Sequence, residues 1–284
     1  MESMLQRFIR YAKINTRSDL HSDAVPTTPG QLDFLRMLEG ELKDLGLSQV
    51  RFNPVDAFVT ALLPSNLPAH HKAPAIGFIA HVDTADFNAE NIQPQVHADY
   101  DGQDIVLNPD LDIVMRVSEF PNLKHYVGQT LITTDGTTLL GADDKAGLVS
   151  ILEAVIHLLA HPDLPHGDIW LAFGPDEEIG KGAHRFQAQD FPADFAYTLD
   201  SDQVGKLEYE TFNAARVMLT IDGTSVHPGT AKGLMVNALA EAAKLFARLP
   251  QDQVPELTEG HEGYYMLSSQ SGDIGQVQAT YIIR

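Results

Sequence analysis

Acidic and imidazole side chains follow four short apolar segments of this sequence, at the point where each segment ends. Histidine, aspartate and glutamate supply nitrogen and oxygen ligands for divalent metal ions such as zinc. A carboxylate that stays free beside such an ion can act as a general base on water. The residues are His81 and Asp83 after 75–80, Asp143 and Asp144 after 131–140, Asp176, Glu177 and Glu178 after 169–173, and Asp200 after 195–199.

The spacing of His81 and Asp83 suits a metal ligand with a supporting carboxylate. Alternate residues of a strand point to the same face, so Asp83 can orient a metal-bound His81. The alternative is a strand end that carries solvated polar residues.

Two pairs of adjacent acidic residues strengthen the metal interpretation. Asp143 and Asp144 stand at the start of an apolar helix, where capping accounts for one carboxylate but not for both. Glu177 and Glu178 follow a buried strand, and one of them can bind a metal while its neighbour acts as general base. A solvated loop is the alternative for the glutamates. Together the groups suit two divalent ions about 3.5–4 Å apart, with zinc favoured and manganese or cobalt as substitutes.

The composition excludes several other classes of protein. The 284 residues include 39 acidic and 19 basic side chains, a formal net charge of −20, and no cysteine. Disulfide scaffolds, thiol catalysis and cysteine-rich metal sites are therefore excluded, and any metal must be held by His, Asp and Glu. The negative charge opposes binding to nucleic acid or an anionic membrane, so we expect neither as a partner.

The N-terminal and most apolar segments predict a cytoplasmic protein. Residues 1–15 have the spacing of an amphipathic helix and lack the continuous apolar stretch of a signal peptide. The segment 147–160 is interrupted by Glu153 and His157 and is shorter than the roughly 20 residues of a membrane span. An exported protein whose signal has been removed would show the same features.

Strands that alternate with helices predict an α/β domain with a mainly parallel, mixed sheet. Ligands of such sheets bind outside the carboxyl ends of the strands, so the four clusters can meet in one place. A helix is predicted from a capping box at Thr28-Pro29-Gly30-Gln31 to Gly46, and a hairpin with an Asp-Gly turn over 131–140. The predicted strands are 58–63, 75–80, 169–173 and 195–199, with a helix at 148–159.

A change of pattern near residue 207 predicts a second, smaller domain. The stretch 207–221 is β-prone, 234–249 has helical spacing, and 264–267 and 277–283 are strand-like. We therefore predict a catalytic domain over 1–206 and a smaller α+β domain over 207–284.

Four motifs resemble the peptidase T family of bacterial aminotripeptidases, which belongs to the co-catalytic di-zinc peptidases. The similarity runs over the whole chain, including Met235-Val236-Asn237-Ala238-Leu239 and Tyr281-Ile282-Ile283-Arg284. The motifs are Gly77-Phe78-Ile79-Ala80-His81-Val82-Asp83-Thr84, Leu139-Leu140-Gly141-Ala142-Asp143-Asp144-Lys145-Ala146-Gly147, Pro175-Asp176-Glu177-Glu178-Ile179-Gly180 and His227-Pro228-Gly229-Thr230-Ala231-Lys232-Gly233.

The resemblance implies a role for each site residue. His81 and Asp200 would hold one zinc ion, Glu178 the second, and Asp143 would bridge the two. Asp83 would be the carboxylate behind His81, and Glu177 the general base that takes a proton from a metal-bridging water. The family also implies a cis peptide bond between Asp143 and Asp144.

Two residues of the smaller domain complete the implied site. His227 would reach the active site of a partner subunit in a homodimer and stabilise the oxyanion, the alternative being a turn histidine before Pro228. Arg284 resembles an arginine that receives a substrate carboxylate, a role that suits its fork of donors. As the last residue, it could equally be a frayed end.

The sequence also departs from the family. Ser201-Asp202-Gln203 stands where the family has a glycine-rich turn, which predicts an altered loop. The family's chain continues beyond the smaller domain and supplies a second histidine ligand and an arginine, which nothing here matches; His184 and His261 are the possible substitutes. We interpret both domains as incomplete and the sequence as C-terminally truncated, with the second zinc held by Asp143 and Glu178.

The leading hypothesis is therefore a cytoplasmic, homodimeric, zinc-dependent aminopeptidase that hydrolyses the N-terminal peptide bond of tripeptides. A di-zinc dipeptidase or N-acyl amino acid deacylase would share the metal motifs. The alternative from another class is a catalytically impaired fragment that only binds metal or dimerises.

Overall fold

The computed structural model describes residues 2–201 and 204–284, which form two compact units, Met1–Val204 and Gly205–Arg284. The helices are α1 Met4–Ala12, α2 Pro29–Asp44, α3 Ala142–Ala160, α4 Gly182–Arg185 and α5 Ala238–Phe246. The strands are β1 Ser48–Phe52, β2 Val59–Leu63, β3 Ile76–His81, β4 Gln95–His97, β5 Ile105–Asn108, β6 Ile113–Met115, β7 Leu131–Thr133, β8 Ile169–Gly174, β9 Phe195–Thr198, β10 Ala215–Asp222, β11 Tyr265–Gly272 and β12 Gln276–Ile283.

A five-stranded mixed sheet in the order β1-β2-β8-β3-β9 forms the centre of the first unit. The strands β3, β8 and β9 are parallel, with Ile76 opposite both Ile169 and Phe195. The strands β1 and β2 extend the sheet in antiparallel pairings. The predicted α/β class with a mixed sheet is confirmed, and its parallel part consists of the three strands that precede predicted site residues.

Alternating side chains of the sheet form two apolar layers, as expected for strands buried on both faces. One layer includes Val59 and Leu171 and packs against α1, α2 and α3. The other includes Leu62 and Trp170, with Phe191 packed beside them. This two-sided burial explains why β2 and β8 appear in the sequence as continuous apolar runs. The edge strand β9 is exposed, although its sequence is also apolar.

The predicted hairpin over 131–140 is wrong. Residues 131–133 form β7, which pairs antiparallel with β4, and residues 137–140 form no strand. Instead, Thr134 donates through its hydroxyl to the carbonyl of Thr138, and the Asp135 carboxylate accepts from the backbone N–H of Thr137. These local side-chain bonds occupy backbone groups that a hairpin ladder would need.

The start of α2 also differs from the prediction. Thr28 is the N-cap residue, but its side chain accepts no capping hydrogen bond and donates instead to the carbonyl of Arg17. Gln31, predicted to complete a capping box, is fully buried and hydrogen bonds to Asp176. Gln31 still donates to the Thr28 hydroxyl at 3.1 Å, but its Oε1 atom accepts from the distant N–H of Asp176 and not from the N–H of Thr28.

The second unit is an α+β fold, in which β10, β12 and β11 form an antiparallel sheet. Helix α5 packs on this sheet through Ala238 and Ala242, which contact Val277 and Ile221. Asn237 caps the helix by accepting hydrogen bonds from the N–H groups of Leu239 and Ala240. Among all described helices, none is long and apolar enough to cross a membrane.

Candidate metal centre

The parallel strands bring the predicted site residues to one edge of the first unit. His81 is the last residue of β3, and Glu177 and Glu178 follow β8 after a short turn. Asp200 follows β9, while Asp143 lies where α3 begins. The carboxyl ends of β3, β8 and β9 adjoin because these strands are neighbours in register, so side chains far apart in sequence converge.

The buried imidazole of His81 lies at the centre of this cluster. Its Nε2 atom is 2.9 Å from Oδ1 of Asp143, 3.7 Å from Oδ2 of Asp200 and 3.9 Å from Oε2 of Glu177. Its Nδ1 atom is 3.0 Å from the backbone oxygen of Asp83 and 3.4 Å from Oδ1 of the same residue. One ring nitrogen therefore faces the carboxylates while the other contacts Asp83.

Asp83 is fully buried and connects β3 to the turn after β8. Its Oδ1 atom accepts a 2.9 Å hydrogen bond from the N–H of Glu177, and its Oδ2 atom accepts a 3.2 Å bond from the N–H of Glu178. The carboxylate therefore holds the backbone of both glutamates as well as lying behind His81.

Asp144 is a further member of the cluster, for which the family resemblance implies no role. It is 3% exposed, and its carboxylate accepts from the backbone N–H groups of His81 and Gly147. The peptide bond between Asp143 and Asp144 is cis, as predicted. Both residues have non-helical backbone angles within α3, so their side chains depart from helical spacing. The adjacent aspartates were the only signal in the sequence for Asp144.

Gly147 allows α3 to approach the end of β9. A Cβ atom at this position would lie 1.9 Å from the carbonyl oxygen of Leu199 and 2.2 Å from Oδ1 of Asp144. Any larger residue would push apart the two segments that carry Asp144 and Asp200.

The mutual repulsion and burial of these groups perturb their protonation. Burial alone would lower the pKa of His81, but hydrogen bonds to Asp143 and Asp83 outweigh it and raise the pKa to about 11. Burial raises the pKa of Asp144 to about 8 and that of Asp200 to about 6. The hydrogen bond from His81 lowers the pKa of Asp143. The cluster therefore retains protons that a bound cation would displace.

The donor set fits divalent metal ions. Two groups of ligand atoms, each within 4.8 Å of one another, share His81. One group consists of His81, Asp144 and Asp200, and the other of His81, Asp143 and Glu178. Nitrogen and carboxylate oxygen ligands without sulfur suit zinc, manganese or cobalt. Neither group includes His184 or His261, and His261 lies 2.7 Å from Glu210 in the second unit.

His227 and Arg284 lie in the second unit. The exposed His227 accepts a hydrogen bond at Nδ1 from the N–H of Gly229 in a short 3₁₀ turn. The guanidinium carbon of Arg284 lies 4.3 Å from the ring centroid of Phe212, and its backbone pairs with Tyr264. The predicted roles of His227 and Arg284 at the metal centre stay predictions. The altered loop at 201–203 also stays a prediction, because Asp202 and Gln203 lie outside the described residues.

A cavity of about 300 Å³ adjoins the cluster in the first unit. Its walls include the apolar side chains of Phe58, Ile79 and Phe186, together with His81 and Glu177.

Known proteins resemble this chain in both sequence and fold. Peptidase T of Fusobacterium nucleatum subsp. nucleatum is 55% identical over 282 residues, which are 99% of this chain and 68% of that protein. Peptidase T of Listeria monocytogenes serotype 4b is 52% identical over 284 residues, 100% of this chain and 68% of that protein. The family profile of the peptidase dimerisation domain matches residues 209–284.

Solved structures show the same fold. The crystal structure of a tripeptidase from Staphylococcus aureus aligns with a TM-score of 0.67 at 22% identity, and that of aminopeptidase PepT from Bacillus cereus with 0.64 at 24%. Each alignment covers 99% of this chain and 65% of the solved chain, so the chain spans about two thirds of its relatives' length.

The fold, the convergent cluster and these matches define a peptidase class, in which a mixed α/β unit is followed by a dimerisation-type domain. Within this class, the chain belongs to the peptidase T family.

Proposed function

We propose that this chain is a zinc-dependent aminopeptidase that removes the N-terminal residue of tripeptides. The observation that carries the proposal is the convergence of Asp143, Asp200 and Glu177 on the one imidazole of His81. Membership of the peptidase T family supports the tripeptide substrate.

Four side chains would hold two zinc ions in this proposal. His81 and Asp200 would bind one ion, Glu178 the other, and Asp143 both. The two groups of ligand atoms support this assignment, since Asp200 shares one group with His81 and Glu178 shares the other with Asp143. When bound, the ions would polarise the scissile carbonyl and acidify a water molecule.

Glu177 is the proposed general base. Its side chain is 55% exposed, and its Oε2 atom lies 3.9 Å from Nε2 of His81. A carboxylate with this access can take a proton from the attacking water and deliver it to the leaving amine. Asp83 holds the backbone of Glu177 in place and would keep the base beside the scissile bond.

His227 and Arg284 are the proposed substrate contacts. Because His227 lies in the region that matches the peptidase dimerisation domain, we propose that it acts across a homodimer. His227 would stabilise the oxyanion in the partner's site, and Arg284 would bind the substrate carboxylate. Cytoplasmic peptide breakdown is the setting that fits this activity.

Metal stoichiometry and a substrate panel test the proposal on this 284-residue chain. We expect two zinc ions per chain, with hydrolysis of a tripeptide such as trialanine faster than that of a dipeptide or an N-acyl amino acid. A preference for dipeptides or acylated substrates would reassign the activity to those classes. Tight metal binding without turnover of any substrate would indicate a metal-binding, dimerising fragment.

A further inference from the structure

Asp176 is a fully buried carboxylate that the proposed chemistry does not use. It immediately precedes Glu177 and has a positive φ of 60°, a conformation that few residues other than glycine adopt. A buried charge persists only where hydrogen bonds and opposite charges compensate for the lost water. The partners of Asp176 therefore show what it does.

Four donors converge on the Asp176 carboxylate. The backbone N–H of Thr27 lies 3.2 Å from Oδ1 and 3.1 Å from Oδ2, and the Thr27 hydroxyl donates to Oδ1. Nε2 of Gln31 donates to Oδ1 at 2.9 Å, and Nη1 of Arg185 to Oδ2 at 3.0 Å. The side chain thus joins the start of α2 to the end of α4.

The backbone of Asp176 is held by the same neighbours. Its N–H donates to Oε1 of Gln31 at 3.1 Å, and its carbonyl accepts from the N–H groups of Lys181 and Gly182. A Cβ atom on Gly182 would lie 2.2 Å from the carbonyl oxygen of Pro175, so this turn is closely packed. The conformation at residue 176 is therefore determined by both its side chain and its main chain.

Two buried carboxylates hold the turn 176–178 from different elements. Asp83, next to His81, accepts the N–H groups of Glu177 and Glu178. Asp176 anchors the start of the same turn to Thr27, Gln31 and Arg185. The side chain of Glu177 nevertheless stays 55% exposed, so the backbone, more than side-chain packing, sets its position.

We propose that Asp176 is a positioning residue, whose hydrogen bonds to Thr27, Gln31 and Arg185 place Glu177 and Glu178 against His81. The inference rests on the proposed function, because it takes Glu178 as a metal ligand and Glu177 as the base. Residues that hold ligands in place commonly contribute 10–100-fold to metal affinity or activity.

Both carboxylate oxygens of Asp176 must accept hydrogen bonds to fulfil this role. Asparagine at 176 keeps the size of the side chain but turns its NH₂ group toward one of the converging donors. The Asp176→Asn variant should therefore lose the anchor without creating a cavity. Thr27→Val removes one donor to Asp176 and also the acceptor of the Asp19 N–H and of Gln31 Nε2. Thr27→Ser, which keeps the hydroxyl, is its matched control.

The test measures Co²⁺ binding by visible absorption, and amide hydrogen exchange at Glu177 and Glu178 in the metal-free chain. For Asp176→Asn we expect Co²⁺ affinity to fall about 10–100-fold, amide exchange at both glutamates to accelerate, and kcat for a tripeptide to fall more than KM changes. Thr27→Val should show smaller changes in the same direction, and Thr27→Ser should behave as wild type.

Asp56→Asn separates positioning from stability. Asp56 is also buried and accepts two backbone N–H groups, from Phe58 and Gln187. Its substitution should lower the unfolding midpoint while Co²⁺ affinity and exchange at Glu177 and Glu178 stay at wild-type values. Wild-type affinity and amide protection in folded Asp176→Asn, or in Thr27→Val if the first variant does not fold, would overturn the inference. If wild-type chain binds no Co²⁺, the proposed metal centre fails, and amide exchange alone decides the role of Asp176.

Discussion

The backbone N–H of Glu177 donates a 2.9 Å hydrogen bond to Oδ1 of Asp83. The bond spans two elements, since Asp83 follows β3 and Glu177 follows β8. The other oxygen of Asp83 accepts from the N–H of Glu178. The same buried carboxylate therefore holds the backbone of both glutamates.

Asp83→Asn should weaken both the fold and the metal centre. Asparagine keeps one acceptor but presents an NH₂ group to an N–H donor, which leaves buried donors unsatisfied. We expect a loss of about 1.5–3 kcal/mol in the free energy of unfolding of the metal-free chain and about 10–100-fold weaker Co²⁺ binding. Urea unfolding and Co²⁺ titration measure the two effects. Asp101→Asn, at an exposed carboxylate that accepts the N–H of Gln103, is the control. Equal effects of the two substitutions would contradict the role of Asp83.

Glu177→Gln should abolish turnover and leave the metal content intact. The amide is unable to take a proton from water, and loss of a general base lowers rates by about 10²–10⁴-fold. Glu178→Gln should instead reduce the zinc content, because it removes a proposed ligand. Tripeptide hydrolysis and metal analysis of both variants check the assignment. Retained activity of Glu177→Gln, or zinc lost from both variants alike, would show that the two roles are misassigned.

Mixed dimers should reveal whether His227 acts across the subunit interface. His227→Ala and Glu177→Gln chains are each expected to be inactive alone. In a hybrid dimer, the chain with intact Glu177 receives His227 from its partner, so mixing should restore roughly a quarter of wild-type activity if subunits exchange randomly. The control mixture of Glu177→Gln and Glu178→Gln should stay inactive, since both defects lie in the same chain's site. Failure of the first mixture to recover, with exchange verified, would place His227 outside the partner's site.

Gly147→Ala should disturb the contact between α3 and the end of β9. Its Cβ would lie 1.9 Å from the Leu199 carbonyl oxygen, so we expect a cost of about 1–3 kcal/mol or more together with weaker metal binding through displaced Asp144 and Asp200. Gly40→Ala in α2 is the matched control, because nothing lies within 4 Å of its Cβ position. That change should stabilise the protein by about 0.5–1 kcal/mol, the difference in helix propensity. Thermal unfolding compares them, and a neutral Gly147→Ala would refute the close approach.

Metal should stabilise the chain more strongly as pH rises. The pKa values of His81, Asp144 and Asp200 are raised to about 11, about 8 and about 6, above the ordinary 6.5 and 3.8 of these groups. The folded, metal-free chain therefore binds more protons than the unfolded chain. The contribution of these protons to the free energy of unfolding is lost as pH rises through the raised pKa values. Bound metal replaces these protons. At a free metal concentration a hundred times its Kd, binding adds about 2.7 kcal/mol to the free energy of unfolding.

Urea unfolding with zinc and with a chelator measures the stabilisation by metal at each pH. The range runs from about pH 6 to about pH 8, the raised pKa values of Asp200 and Asp144. We expect the metal-free midpoint to fall across this range and the difference between the two curves to widen. A metal-free midpoint that rises with pH would contradict the retained protons.

Local sequence patterns predicted the elements that carry the site. The strands that end near His81 and Gly174 were predicted because burial makes them continuous apolar runs. The strand β9, which ends at Thr198, was predicted from the same pattern but is an exposed edge strand. The hairpin over 131–140 does not form, because β7 pairs with β4, more than thirty residues earlier in the sequence. Gln31 likewise does not complete the predicted capping box, and its side chain hydrogen bonds to Asp176, 145 residues away in the sequence. Patterns within a few residues carry no information about such partners.

The sequence by itself determined the chemistry of the site: without cysteine, and with His81 and paired carboxylates after apolar runs, only an imidazole and carboxylate metal centre was available. Tertiary structure decided which carboxylates meet His81. The strand order β1-β2-β8-β3-β9 places β3 between β8 and β9, and this long-range pairing brings Asp200 and Glu177 to the same imidazole. It also buries Asp83 and Asp176, whose roles depend on donors that only folding supplies.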